Sequence, residues 1–317
     1  MQIIPFPLKP NSKVLIAGAG GGFDFLCGLP LGLELQASGH EVHYANYTFT
    51  NLEKVRSAVW HSAHLLEVTA DSVLESGDYF PEKYLSLWYQ TRQSLQQPVW
   101  CLARQGVRPT LASYEYLVSR YEIDVVICVD GGIDGLFRGD EHDLATPSMD
   151  SISVIATSLC TAATKVYVCT AFGTEGAEGR VSHAQALERM ADLIRDGAML
   201  GVTTLLKHSI IGAEFMEAVK YIFEHHPSIH RSIVIGTLLV AMDGKFGRVS
   251  VNQKTVDRPP WVSPLTPLMW YFKAEPVAQL KLFYEQAKKS ETVEQVASAI
   301  EAVRRTTPIK PYQHIPI

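Results

Sequence analysis

Residues 128–143, CVDGGIDGLFRGDEHD, place five acids, four glycines and one arginine in a single short stretch. Carboxylates gathered this tightly repel one another unless a cation or a set of donors holds them. Converging carboxylates do three kinds of work. They hold a hard divalent ion such as Mg2+ or Ca2+, exchange protons as acid and base, or bind sugar hydroxyls. Asp130 ends the apolar run IDVVICVD, and Asp134, Asp140, Glu141 and Asp143 follow, with Arg138 between them. Gly131, Gly132 and Gly135 let the chain bend sharply enough to bring these acids together. The spacing is not that of an EF-hand. A structural alternative stays open: a salt-bridge knot around Arg138, with Asp150 capping the next helix and Asp143 at the surface.

Three further polar stretches follow apolar runs: GAGGGFD (18–24), ANYT (45–48) and FGTEG (172–176). Successive glycines turn the backbone tightly and aim N–H groups at an anion. The dinucleotide fingerprint is nevertheless broken, because Phe23 replaces its third glycine and Asn46 stands where an acid would take the ribose. No Gly-Lys-Ser/Thr follows, so a P-loop is excluded, and neither G-x-S-x-G nor H-E-x-x-H occurs. Asp24 sits badly beside an anion unless a metal or hydroxyl intervenes, and a helix cap is its other reading. Thr174 and Glu175 offer a hydroxyl and one more carboxylate. The histidine groups (His61, His64; His225, His226, His230) lack cysteine partners and read as non-ligating, while His208 is the better-placed histidine for a crevice.

These stretches need elements to position them. KVLIAGAG (13–20), EVHYANY (41–47), HLLEVT (64–69), IDVVICVDGG (123–132) and KVYVCTAFG (165–173) read as strands, with helix-sized segments between several of them. This predicts an α/β chain: a Rossmann-like, doubly wound, mostly parallel sheet with helices on both faces, forming one domain over 1–317. All four polar stretches would then share the carboxyl edge of the sheet, where ligands bind in such folds. Residues 151–163 and 182–196 are expected helices, the latter capped by Ser182 and stopped by Gly197. Residues 213–227 also read as a helix, GRVSVNQ as a strand, and 232–244 as either. The aromatic-rich segment 76–109 reads as a helical insertion. C-terminal helices are expected over 274–289 and 291–305, and the apolar run PLTPLMWYF (264–272) with those helices could serve self-association into a homo-oligomer.

The chain has 317 residues, 47% hydrophobic and 19% charged, with a net charge of −5. A balance this acidic, without a Lys/Arg cluster, argues against nucleic acid as a partner. No stretch reaches the roughly 18 apolar residues of a membrane span, and MQIIPFPLKP lacks the features of a secretory signal. Five cysteines without a CxxC pair read as buried thiols. A cytoplasmic protein with a small-molecule substrate is expected.

Together, GAGGGFDFLCGLPLGLEL, VDGGIDGLFRGDEHDLATPSMDSIS and FGTEG resemble the domain of unknown function family 1152, uncharacterised archaeal and bacterial proteins, over roughly residues 13–250. The resemblance implies that the glycine loop and the acidic loop belong to one module. The GAG loop is also loosely similar to sirtuin-like and deoxyhypusine-synthase-like folds, which bind NAD diphosphate there.

The residues themselves lead to an enzyme of phosphorylated or nucleotide/ribosyl-like molecules, acting by hydrolysis or group transfer. Asp130, Asp134 and Glu175 are the expected catalytic groups. Gly20, Gly21, Gly22, Asp24, Asn46, Gly131, Gly132, Arg138 and Thr174 are the expected substrate or anion contacts. Asp130, Asp134, Asp140 and Glu141 are the expected ligands of Mg2+ or another divalent cation. NAD-cleaving or NAD-dependent transfer, and a non-catalytic nucleotide sensor, are the alternatives.

Overall fold

The computed structural model describes residues 4–77, 79–175, 181–226 and 232–315. From the N-terminus, β1 (Lys13–Gly18) leads through α1 (Leu29–Ala37) to β2 (Glu41–Tyr47). Short strands β3 (Val55–Arg56), β4 (Val59–Ser62), β5 (Leu65–Val68) and β6 (Val73–Leu74) precede α2 (Pro81–Arg92) and β7 (Val99–Leu102). Then come α3 (Val107–Tyr121), β8 (Val125–Asp130), α4 (Pro147–Leu159) and β9 (Thr164–Cys169). After α5 (His183–Arg195) and β10 (Met199–Thr204) lie α6 (Ile210–His225) and α7 (Ile233–Met242). The chain ends with β11 (Gly247–Arg248), β12 (Trp261–Val262), β13 (Leu268–Lys273), α8 (Ala274–Gln279), α9 (Tyr284–Ala287) and α10 (Val293–Thr306).

Nine strands form one sheet in the order β10-β13-β9-β8-β1-β2-β7-β5-β4. The five central strands, β9-β8-β1-β2-β7, are parallel. Antiparallel pairs extend it at both ends, β13 and β10 beyond β9, and β5 and β4 beyond β7. The central strands are apolar and β-branched because helices cover both faces. Along β1, Leu15 and Ala17 join a core with α3, α4, α5, α8 and α10. Val14 and Ile16 join the opposite core with α1, α2, α6 and α7. The doubly wound, mostly parallel architecture expected from the pattern is the one present.

From β1 the chain steps outward to β2 and β7, then returns to place β8 on the other side of β1. The connections leaving β1 and β8 therefore diverge onto opposite faces and open a crevice between these two strands, the usual ligand position in such sheets.

Several local readings sharpen. Ser182 caps α5 through the Gln185 amide, and Gly197 follows the helix at φ 67°. The ambiguous 232–244 is helix α7, started by the Ser232 hydroxyl accepting from Ile235 N and followed by Gly244 at φ 76°. GRVSVNQ contributes only Gly247–Arg248 to a strand. Segment 76–109 holds α2 but also β7, the third strand of the parallel core. VWCL at 99–102 is too short for its period to separate strand from helix. PLTPLMWYF supplies β13, with Met269, Tyr271 and Phe272 buried between β9 and β10, so most of this run is spent inside the sheet. All five cysteines are free and buried.

Candidate functional site

The glycine loop leaves β1 with Gly20, Gly21 and Gly22 at φ 65°, 93° and 72°, a left-handed run that other residues adopt only with strain. At Gly20 the need is steric as well, because a Cβ there would lie 1.9 Å from Asp150 Oδ1. The Gly21 amide donates to Ala19 O at 2.6 Å, and Asn46 Nδ2 donates to Gly22 O at 2.9 Å. The amides of Gly20, Gly22 and Phe23 donate to no acceptor among the described residues, although all three residues are buried.

The acidic loop leaves β8 beside it. Asp130 Oδ2 accepts from the Tyr167 hydroxyl at 2.5 Å and the Gly135 amide at 3.0 Å. Asp134 Oδ2 accepts from Thr146 N at 3.1 Å and Thr146 Oγ1 at 3.2 Å. Glu175, just past β9, takes the Ile133 amide on Oε1 at 2.5 Å, while its Oε2 is buried without a partner. Gly132 is required here, since a Cβ would stand 1.9 Å from Glu175 Oε1. Asp150, in the first turn of α4, comes in from above; Thr146, not Asp150, holds the N-cap position.

Asp24, Asp130 and Asp150 each bring an oxygen within 4.8 Å of the others, the one grouping among the described residues with the spacing of a metal site. With Asp134 and Glu175 they line a cavity of about 620 Å³ together with the glycine loop, Thr174 and Gly131. Phe49, Tyr79, Met149 and Val234 form a less polar wall of the same cavity.

The electrostatics follow from this crowding. Burial, then repulsion from Asp134, raises Asp130 to about 7 against the donors Tyr167 and Gly135. Burial, then Asp130, Asp134 and Glu175, holds Asp24 well above the usual carboxylate range. Burial, then Asp134 and Asp130, does the same to Asp150. Glu175 is also pushed well up, by burial and then Asp134. Asp134 is raised by burial, with the Thr146 donors opposing. The crowding therefore disfavours the fully charged form of this cluster.

Cations hold the loop at its backbone. Lys281, only 2% exposed, donates to Gly135 O at 2.8 Å and Phe137 O at 3.1 Å. Arg304 donates to the carbonyls of Gly139, Glu141 and His142. The far half of the loop has its own partners: Arg138 Nε lies 3.3 Å from Asp140, while Glu141 accepts the Arg138 and Gly139 amides and faces buried Arg189 at 3.8 Å.

The structure thus divides the residues singled out by sequence. Gly20, Gly21, Gly22, Asp24, Asp130, Gly131, Asp134, Thr174 and Glu175 line one cavity. Gly132 packs behind Glu175, and Asn46 lies fully buried beneath the glycine loop. Asp140, Glu141 and Arg138 form ion pairs away from the cavity lining, whereas Asp143 lies on that lining. Asp150, Lys281 and Tyr167 are the site residues that sequence reasoning missed. Asp150 carried a signal, an acid one turn into a helix begun by Pro147; Lys281 comes from far along the chain and carried none. His61 bonds Tyr116 and Glu67, His208 is exposed, and His226 Nε2 accepts from Phe80 N. His230 and Gly176 lie outside the described residues.

A family model described as "Protein of unknown function (DUF1152)" matches residues 15–310. The chain belongs to the DUF1152 family. The match takes in both loops of the cavity and extends through Lys281 and Arg304, so the family module includes the C-terminal helices that clamp the acidic loop. No curated protein and no solved structure matches this DUF1152 chain, and the looser likeness to sirtuin-like folds gains no support.

Proposed function

We propose that this DUF1152 protein is a divalent-metal-dependent enzyme acting on a phosphorylated small molecule, nucleotide- or ribosyl-like, by hydrolysis or group transfer. One observation carries the reading: a triad of carboxylates and a glycine loop with three amides unpaired among the described residues line the same cavity. The carboxylates require a cation and the amides require an anion. A divalent ion such as Mg2+ or Mn2+ held by the triad, with a phosphoryl group at the glycine loop, would satisfy both.

Asp24, Asp130 and Asp150 would hold the ion, which would offset phosphoryl charge. The amides of Gly20, Gly22 and Phe23 would receive phosphoryl oxygens. Asp130, Asp134 and Glu175 each have one oxygen pinned by local donors, and of the three Glu175 has its other oxygen, Oε2, both buried and unpartnered. Glu175, with its pKa raised by burial, is therefore the residue assigned to take a proton from the attacking water or hydroxyl. Hydride transfer fits less well, because the dinucleotide fingerprint is broken at Phe23 and Asn46.

The experiment is a calorimetric titration of metal-free protein with Mg2+ and Mn2+, followed by a turnover screen of nucleotides and sugar phosphates with the metal present. Saturable metal binding that Asp150→Asn removes, and phosphate or ester release that requires metal, are expected. Wild-type protein that binds neither ion at millimolar concentration would sink the proposal.

A further inference from the structure

Glu82, in the first turn of α2, is completely buried and touches neither the cavity nor a cation among the described residues. Its Oε1 accepts from Asn46 Nδ2 at 2.7 Å and from the Thr48 hydroxyl, and its Oε2 accepts from the Thr50 hydroxyl at 2.9 Å. Asn46 Nδ2 donates in addition to Gly22 O. Both near neighbours of that amide nitrogen are thus acceptors. Asn46 Oδ1, by contrast, is buried with no hydrogen-bond donor. An asparagine left with an unpaired oxygen holds its orientation only because two acceptors face its nitrogen.

The consequence falls on the glycine loop. In a planar trans peptide the C=O and the following N–H point in opposite directions. Drawing the Gly22 carbonyl back onto Asn46, which is not on the cavity lining, therefore turns the Phe23 N–H away from Asn46, while Gly22 and Phe23 themselves line the cavity. That amide is one of the three donors without an acceptor among the described residues. We propose that Glu82, acting through Asn46, is a positioning residue that fixes the anion-binding face of the glycine loop. The inference rests on the phosphate-binding reading of that loop.

The test measures two affinities separately: Mn2+ by electron paramagnetic resonance, and inorganic phosphate by calorimetry with saturating Mg2+. Glu82→Met and Asn46→Ala each remove the orienting pair and should weaken phosphate about 10–100-fold, the usual cost of losing a supporting shell. Mn2+ affinity at the Asp24–Asp130–Asp150 triad should stay at the wild-type value. Glu82→Gln can keep its oxygen toward Asn46 and its nitrogen toward Thr50, so it should restore wild-type phosphate affinity. Should Glu82→Met not fold, as judged by its melting curve, Asn46→Ala and Glu82→Gln still decide. Phosphate affinity unchanged in folded Asn46→Ala overturns the assignment, as does a loss of both affinities in parallel. Wild-type protein that takes up Mn2+ but no phosphate overturns the loop's anion role and this inference with it, while leaving the metal triad standing.

Discussion

Raising the pH of the metal-free protein from about 5 to about 8 should destabilise it, which is opposite to the behaviour of a protein with salt-bridged acids. Asp130 shows the sign. Its folded pKa of about 7 lies above the ordinary 3.8. Between those values the folded state holds a proton that the unfolded chain has released. Stability is therefore highest at the acid end of this window and is lost as pH rises through it. Within the pH 5–8 range only about two pH units lie below the folded pKa, which corresponds to roughly 2.7 kcal/mol for this one group. At about 2.1 cal/mol/K of unfolding entropy per residue, a chain of 317 residues loses ~4 °C of melting temperature. Asp24, Asp150 and Glu175 act in the same direction. A divalent ion at one hundred times its Kd should return about 2.7 kcal/mol, or ~4 °C, at the alkaline end. Differential scanning calorimetry across this range, with chelator and then with Mn2+, gives the readout. A metal-free melting temperature that is level or rising from pH 5 to 8, with no response to Mn2+ at pH 8, would refute the reasoning that these acids share one desolvated space.

Asp150→Asn removes one charge from the cluster and no hydrogen bond given by any described donor, so the metal-free variant should melt higher than wild type at pH 8 while losing metal affinity by at least about tenfold. Gly20→Ala places a Cβ against Asp150 on a backbone at φ 65°; a loss of about 2 kcal/mol in urea unfolding, together with weakened metal binding, is expected. Lys281→Met leaves the Gly135 and Phe137 carbonyls without their donor and should cost about 2–3 kcal/mol, measured by the same unfolding series. Glu175→Gln should keep metal affinity but lower turnover by about 10²–10⁴-fold once a substrate is in hand; equal rates would return the base role to Asp134.

Much of the frame was legible because buried parallel strands are written as uninterrupted β-branched runs. KVLIAG, EVHYANY, VVICVD and KVYVC all became central strands, and their polar ends converged as the topology requires. β7 was hidden because four apolar residues carry no resolvable period, and its sheet partners lie far away in sequence. Within the acidic loop, composition alone could not separate Asp130, Asp134 and Asp143, which line the cavity, from Asp140 and Glu141, which face Arg138 and Arg189. That division depends on which way a bent loop turns each side chain, and Arg189 and Lys281 come from distant helices and turns. Asn46 attracted notice as a strand-end residue in place of a ribose-binding acid. Its bond to Glu82 explains the substitution as support for the loop.

The clamping of the 135–142 backbone by Lys281 and Arg304 has a consequence for biosynthesis. The five parallel strands are all made before residue 170, and they could pair while the ribosome is still working. The acidic loop, however, acquires the last of its fastenings, those from Lys281 and Arg304, only when the chain has been extended beyond Arg304. Until then a nascent chain carries crowded carboxylates on a loop held by its local donors and Arg189 alone. The backbone clamp on the acidic loop would thus be completed last, and a chain stalled short of α10 would have the parallel strands without it.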